Sequence, residues 1–217
     1  KVVEKLSEYL SSSDYSRIFV LNGYAGTGKT TLISALVAVL RETGVKSVLL
    51  APTGRAAKVL TRYSGQQAFT IHKRIYRQRT NADYESKYSL DMNKEQGAVF
   101  IVDEASMLSD SSGDGQIFGS GSLLEDLITY VRKGRDCRLI LVGDNAQLPP
   151  VGADYSPALE PSALLHYGDV TYTSMDDVVR QSVESGILFN ATMVRCMLEN
   201  NLCEIPRFDL SRPDIEA

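Results

Sequence analysis

Residues 23–30 read Gly-Tyr-Ala-Gly-Thr-Gly-Lys-Thr, a complete G-x-x-x-x-G-K-[ST] phosphate-binding loop. Ahead of it, Ile18-Phe19-Val20-Leu21 is a short apolar run suited to a buried parallel strand. Behind it, Thr31 to Leu40 is apolar-rich and predicts a helix that ends by Gly44. A strand, a glycine turn and a helix start place bare backbone N–H groups at a positive helix terminus, where phosphates bind. Lys29 is then placed to reach the β- and γ-phosphates of a nucleotide and Thr30 to offer its hydroxyl to Mg²⁺. Gly23, Ala25, Gly26, Thr27, Gly28 and Thr31 complete the expected cradle.

Working outward, Ser47 to Pro52 reads as a second strand and Thr53 to Tyr63 as a helix that Thr53 can cap. Gly65 to Thr70 reads as a turn, and Ile71 to Tyr76 as a short helical or extended piece. The polar stretch from Asn81 to Gln96 alternates at Tyr84, Tyr88 and Leu90 and is compatible with a small hairpin insertion. Ala98 to Val102 is a third buried strand, and Ser109 to Ser122, rich in serine and glycine, a loop. Helices follow at 123–131 and 186–200, and strands at 138–142 and 169–173. With the phosphate-binding loop, strands alternating with helices predict an α/β P-loop fold: an open, mostly parallel sheet with helices on both faces. Resemblance to NTPases that carry an acid at the position of Glu104 implies that one strand stands between the loop strand and the acid strand, so strand 138–142 is expected between 18–21 and 99–102.

Asp103-Glu104 follows directly on the third strand. An apolar strand ending in Asp is the expected partner of a phosphate-binding loop, with Asp103 holding Mg²⁺ and Glu104 accepting a proton from the attacking water. The fourth strand delivers Gly143-Asp144-Asn145-Ala146-Gln147-Leu148-Pro149-Pro150. Ligands bind at the carboxyl ends of strands in such sheets, so the Gln147 amide is placed to sense a γ-phosphate or orient a water. Two prolines stiffen the connection behind it.

The net charge of −4 excludes a uniformly basic surface. Between Gly54 and Arg79, however, seven basic residues (Arg55, Lys58, Arg62, Lys73, Arg74, Arg77 and Arg79) stand without an acid. Such a stripe is either a track for a polyanion or a solvated helix face. Tyr63, Phe69 and Tyr76 lie within it and read as core more than as stacking platforms. Cys137, Cys196 and Cys203 have no metal-ligand spacing and fit a reducing, cytoplasmic setting. No run approaches the ~18 apolar residues of a membrane span.

The ordered set of motifs resembles superfamily 1 DNA helicases, in the RecD/TraA-like branch that moves 5′ to 3′. It runs from Gly23–Thr31 through Ala51-Pro52-Thr53-Gly54-Arg55-Ala56-Ala57, Thr70-Ile71-His72-Lys73, Val102-Asp103-Glu104-Ala105-Ser106-Met107 and Gly143–Gly152 to Val179-Arg180-Gln181. The resemblance implies ATP and Mg²⁺ as cofactors and single-stranded DNA as partner. It implies that Lys29, Glu104, Gln147 and Arg180 serve catalysis, the last by contacting the γ-phosphate. It also implies that Pro52, Thr53, Arg55, Thr70, His72 and Lys73 line the DNA strand, and that the insertion near 74–97 carries a strand-separating hairpin. Residues 1–200 are then a first RecA-like motor domain and 201–217 the start of a linker to a second domain. The family's adenine-reading glutamine has no counterpart, since no Gln precedes Gln66. A P-loop NTPase acting as a switch on a protein partner is the competing reading; single-stranded DNA stimulation of ATP hydrolysis separates the two.

Overall fold

The computed structural model describes residues 1–80, 86–110, 118–175, 186–199, 205–209 and 211. In chain order its elements begin α1 (Val2–Ser11), β1 (Ile18–Gly23), α2 (Lys29–Glu42), β2 (Ser47–Ala51), α3 (Gly54–Ser64), β3 (Ala68–Thr70) and α4 (Ile71–Ile75). A hairpin of β4 (Tyr76–Thr80) and β5 (Ser86–Leu90) follows, then β6 (Val99–Val102), α5 (Leu123–Lys133), β7 (Arg138–Gly143), α6 (Pro161–Leu164), β8 (Val170–Met175) and α7 (Gly186–Glu199). The main sheet has the order β3-β2-β6-β7-β1-β8. Every neighbour in it is parallel. β7 therefore lies between the loop strand and the acid strand, as the resemblance implies.

The alternation of side chains along each strand sorts the core into two layers. Ile18, Val20, Val48, Leu50, Phe100, Val102, Leu139 and Leu141 pack with α4 and α5 on one face. Phe19, Leu21, Leu49, Val99, Ile101, Ile140 and Val142 pack with α1, α2 and α3 on the other. The apolar face of α1 is pinned by Tyr9, whose buried hydroxyl donates to the Leu139 carbonyl at 2.8 Å. Burial pushes that phenol far above its ordinary pKa, so it stays a neutral donor.

The stretch 65–70 is not only a turn. Ala68–Thr70 pairs in parallel with Leu49–Ala51 and forms the edge of the sheet. Three residues are too short for an alternating pattern to be read, and β2 supplies the pairing that local sequence does not announce. The insertion is a hairpin, with Tyr76 opposite Leu90 and Gln78 opposite Tyr88; Tyr84 lies outside the described residues. Phe118 stacks on Tyr88 with ring centroids 4.5 Å apart, which ties the hairpin to the segment leading into α5. The remainder of the serine- and glycine-rich loop, 111–117, lies outside the described residues.

Glu95 joins three elements that the sequence does not connect. It accepts from Lys46 Nζ at 2.6 Å and Arg74 Nη2 at 2.5 Å. Burial pushes its carboxyl up, but the hydrogen bonds and charges of Lys46 and Arg74 outweigh burial and hold it below the usual Glu value. A carboxyl depressed in the native state stabilises fully above the unfolded pKa and loses that contribution as pH falls through the folded one. Glu95→Gln is therefore expected to cost about 1.5–3 kcal/mol at pH 7, as for a hydrogen bond to a charged group. The gap from the wild type should close on acidification below the ordinary Glu value of about 4.3. Denaturant melts at pH 7 and pH 3 check this; a gap that widens toward pH 3 overturns it.

Candidate nucleotide and DNA site

The sheet order brings three carboxyl ends side by side: β6 with Asp103, β7 with Asp144, and β1 with the glycine loop. Gly28 caps α2 with φ 93° and ψ 14°, a left-handed conformation open to glycine, and no side chain caps the helix. By contrast α3 and α5 are capped by Thr53 and Ser122. The first turn of α2 is thus kept clear of protein oxygens, which suits a phosphate. Thr27 closes the loop on itself by donating from Oγ1 to the Tyr24 carbonyl at 2.8 Å. Lys29 lies back across the loop and donates to the carbonyls of Gly23 and Tyr24. Gly23 has no room for a side chain: a Cβ there would meet Thr27 Oγ1 at 2.9 Å and the Met175 carbonyl at 3.1 Å.

Glu104 has φ 56° and ψ 38°, a left-handed backbone that costs a non-glycine residue on the order of 1 kcal/mol. Its N–H donates to Asp103 Oδ1 at 3.0 Å. Burial raises the Asp103 carboxyl, while the Glu104 N–H and the Lys29 charge pull it back. Burial also raises Glu104, with Asp103 and Asp144 adding to the rise and Lys29 opposing it. Three carboxylates and one ammonium therefore share one electrostatic site, and burial biases both Asp103 and Glu104 toward holding a proton, with Asp103 and Asp144 adding to the rise at Glu104. The donor set fits a nucleotide and a hard divalent cation: backbone N–H and Lys29 for phosphates, and the half-buried Thr30 hydroxyl and Asp103 carboxylate as oxygen ligands.

Gln147 is exposed on the loop after β7. The loop is fastened to β1 by the Asn145 N–H, which donates to Asn22 Oδ1 at 3.0 Å. It is closed by the Ala146 N–H on Asp144 Oδ1 at 3.0 Å. Gln147, Asn145 and Ser156 line one cavity of about 170 Å³. Ser156 donates to the Ser106 carbonyl at 3.0 Å, two residues beyond Glu104. Sequence reading assigns a role to neither Asn22 nor Asp144, although Asp144 follows β7 as Asp103 follows β6. Arg180 lies outside the described residues.

Along the same edge, β2 and β3 end in register, Ala51 opposite Thr70. Each strand hands over to a helix through a threonine. Thr53 Oγ1 accepts from the Ala56 N–H at 3.2 Å and Thr70 Oγ1 from the Lys73 N–H at 3.3 Å. An oxygen that accepts from the helix leaves its own O–H to donate outward. Pro52 is half-buried beside them; Arg55 and Lys73 are exposed. His72 packs on Phe118 and Tyr76 at centroid distances of 5.1 and 5.7 Å, and burial lowers its pKa, so it is neutral at pH 7. The basic stripe does not form one surface. Arg55, Lys58, Arg62 and Lys73 are exposed, whereas Arg74 is bound by Glu95 and Arg77 stands 3.5 Å from Asp91. Tyr76 is core, donating to buried Asp126 at 2.6 Å, while Tyr63 is 58% exposed.

Residues 6–190 match the AAA domain family, and the chain belongs to it. Over 141 residues it is 35% identical to the ATP-dependent RecD2 DNA helicase of Deinococcus radiodurans, covering 63% of this chain and 17% of the relative. Over 136 residues it is 36% identical to the ATP-dependent DNA helicase dda of Enterobacteria phage T4, covering 60% of this chain and 28% of that protein. The chain thus spans less than a third of these relatives. The crystal structure of Pif1 helicase from Candida albicans aligns over 89% of this chain and 43% of that one, with a TM-score of 0.50 and 19% identity. That likeness supports the fold, a P-loop NTPase sheet with helices on both faces. Among the described residues no helix is long and apolar enough to cross a membrane, and no three His, Cys, Asp or Glu side chains cluster as metal ligands.

Proposed function

We propose that residues 1–200 form the ATP-hydrolysing motor domain of a DNA helicase. In the full-length protein it drives 5′ to 3′ translocation on single-stranded DNA together with a second RecA-like domain. Residues 201–217 begin the linker between the two. The observation that carries this reading is Glu104: a carboxyl with a raised pKa, on a left-handed backbone, within the field of Asp103, Asp144 and Lys29. A hydrolase needs such a base; a kinase that transfers phosphate to a small molecule does not.

In this reading the N–H groups of Gly26 to Thr31 and the Lys29 ammonium hold the phosphates, and Thr30 and Asp103 hold Mg²⁺. Bound Mg²⁺ neutralises charge on the transferring phosphate. Glu104 takes the proton of the attacking water, Gln147 senses the γ-phosphate, and Arg180 stabilises charge as the phosphoryl group leaves. Pro52, Thr53, Arg55, Thr70, His72 and Lys73 form the strand path, with Arg55 and Lys73 neutralising phosphates and the two threonine hydroxyls donating to them. Neutral His72 serves packing or a hydrogen bond rather than charge.

The test is DNA binding by the full-length protein. Arg55→Glu with Lys73→Glu is expected to weaken binding to single-stranded DNA and to flatten its salt dependence. Each lost phosphate contact removes about 0.7 from the slope of log affinity against log salt. ATP affinity without DNA should hold. An unchanged slope means these two side chains are a solvated face. Hydrolysis that single-stranded DNA fails to stimulate favours the switch reading.

A further inference from the structure

Away from the strand ends, a groove runs between the sheet edge at β3, the helix α4 and the root of the β4–β5 hairpin. Its first part is a cavity of about 370 Å³ lined by Phe69, Lys73, Arg74, Arg77 and Lys94, with Tyr130 at its floor. Its second part, about 270 Å³, shares Arg77 with the first and adds Ser89 and Lys133. The first cavity alone falls within the roughly 300–1,000 Å³ of ligand clefts.

Five basic side chains line the two parts, against two acids, Asp91 and Glu95. Glu95 is already satisfied by Lys46 and Arg74, and Asp91 faces Arg77. Lys73, Lys94 and Lys133 have no carboxylate within 4.0 Å among the described residues. Lys73 Nζ stands 5.9 Å from the centre of the Phe69 ring, a cation beside an aromatic face at the mouth of the groove.

Cations spaced along a groove that also offers an aromatic face match a single nucleic-acid strand: phosphates on the cations, a base on the ring. We infer that this groove is a second contact for single-stranded DNA, continuing the strand from Lys73 past Lys94 and Arg77 toward Lys133 along the hairpin root. The inference rests on the DNA reading above, from which it takes the strand as far as Lys73. It assigns Arg77, Lys94 and Lys133, which that path does not use. It also assigns the hairpin root a binding role.

The experiment measures binding of oligo-dT of increasing length to the full-length protein over a salt series. Arg77→Ala with Lys94→Ala and Lys133→Ala leaves the strand-end residues untouched. The triple variant is expected to lose about 2 from the salt slope, near 0.7 per phosphate, and to lose the affinity gained with the longest oligonucleotides. A short oligonucleotide that fills only the strand-end path should bind it as it binds the wild type. Replacing one thymine by 5-iodouracil and irradiating should crosslink to Phe69 in the wild type. Equal slopes and equal length dependence in the two proteins overturn the groove while leaving the DNA reading intact. Loss of binding to oligonucleotides of every length in the Arg55→Glu/Lys73→Glu protein, with the groove variant unchanged, does the same. A wild type that binds no single-stranded DNA overturns both. Competition by free dTMP as strong as by oligo-dT of equal phosphate content shows a mononucleotide site and overturns the strand assignment.

Discussion

Glu104→Gln is expected to leave ATP–Mg²⁺ affinity within a few fold of the wild type and to cut the hydrolysis rate by roughly 10²–10⁴, the range of a lost general base. The amide keeps the size and position of the side chain, so the backbone at φ 56° and the Glu104 N–H bond to Asp103 are kept. Asp103, the proposed metal ligand, is unaltered. Only the ability to hold a proton is removed. The raised pKa makes the loss specific, because a carboxyl biased toward protonation by burial, Asp103 and Asp144 is a better proton acceptor than a solvated one. Single-turnover hydrolysis and a binding titration on the same preparation separate the two quantities. A wild-type rate in the variant removes Glu104 from the base role. A parallel loss of binding instead makes it a phosphate or metal contact.

The glycine loop and the threonine cap of α3 were legible in sequence because each follows from local rules, and the strand order because the resemblance implies it. A glycine turn between an apolar strand and an apolar helix has few other uses, and Thr53 stands where an N-cap must. The edge strand at Ala68–Thr70 was not legible, because its pairing with Leu49–Ala51 is the only thing that makes it a strand. The basic stripe was half legible. Charge can be counted along a chain, but the carboxylates that bind Arg74 and Arg77 lie 21 and 14 residues away, at Glu95 and Asp91. The same limit hid Asp144 as a modifier of Glu104 and Asn22 as the anchor of the Gln147 loop, since both act across adjacent parallel strands. Lys29, Asp103 and Glu104 were readable as parts of motifs. That they share one field is a property of the sheet order.

Lys29→Ala is the second large effect expected, and it falls on binding as well as rate. The ammonium donates to the carbonyls of Gly23 and Tyr24, so it is already held over the loop and little ordering remains to be done when phosphates arrive. Losing a hydrogen bond to a charged group costs about 1.5–3 kcal/mol, and binding should weaken roughly 10- to 150-fold. Because negative charge grows on the phosphate oxygens during transfer, the rate should fall as well, by roughly the 10²–10³ measured for loss of one preorganised donor. A third consequence is specific to this site. Lys29 is the cation that opposes burial at both Asp103 and Glu104. Without it both carboxyls rise further, more of each is protonated at a given pH, and the acid limb of the residual pH–rate profile moves to higher pH. Lys29→Ala should therefore differ from a simple loss of affinity: saturating ATP will not restore the rate, and the residual activity will recover in part on raising the pH. A variant rescued fully by excess ATP at pH 7 would confine Lys29 to ground-state binding.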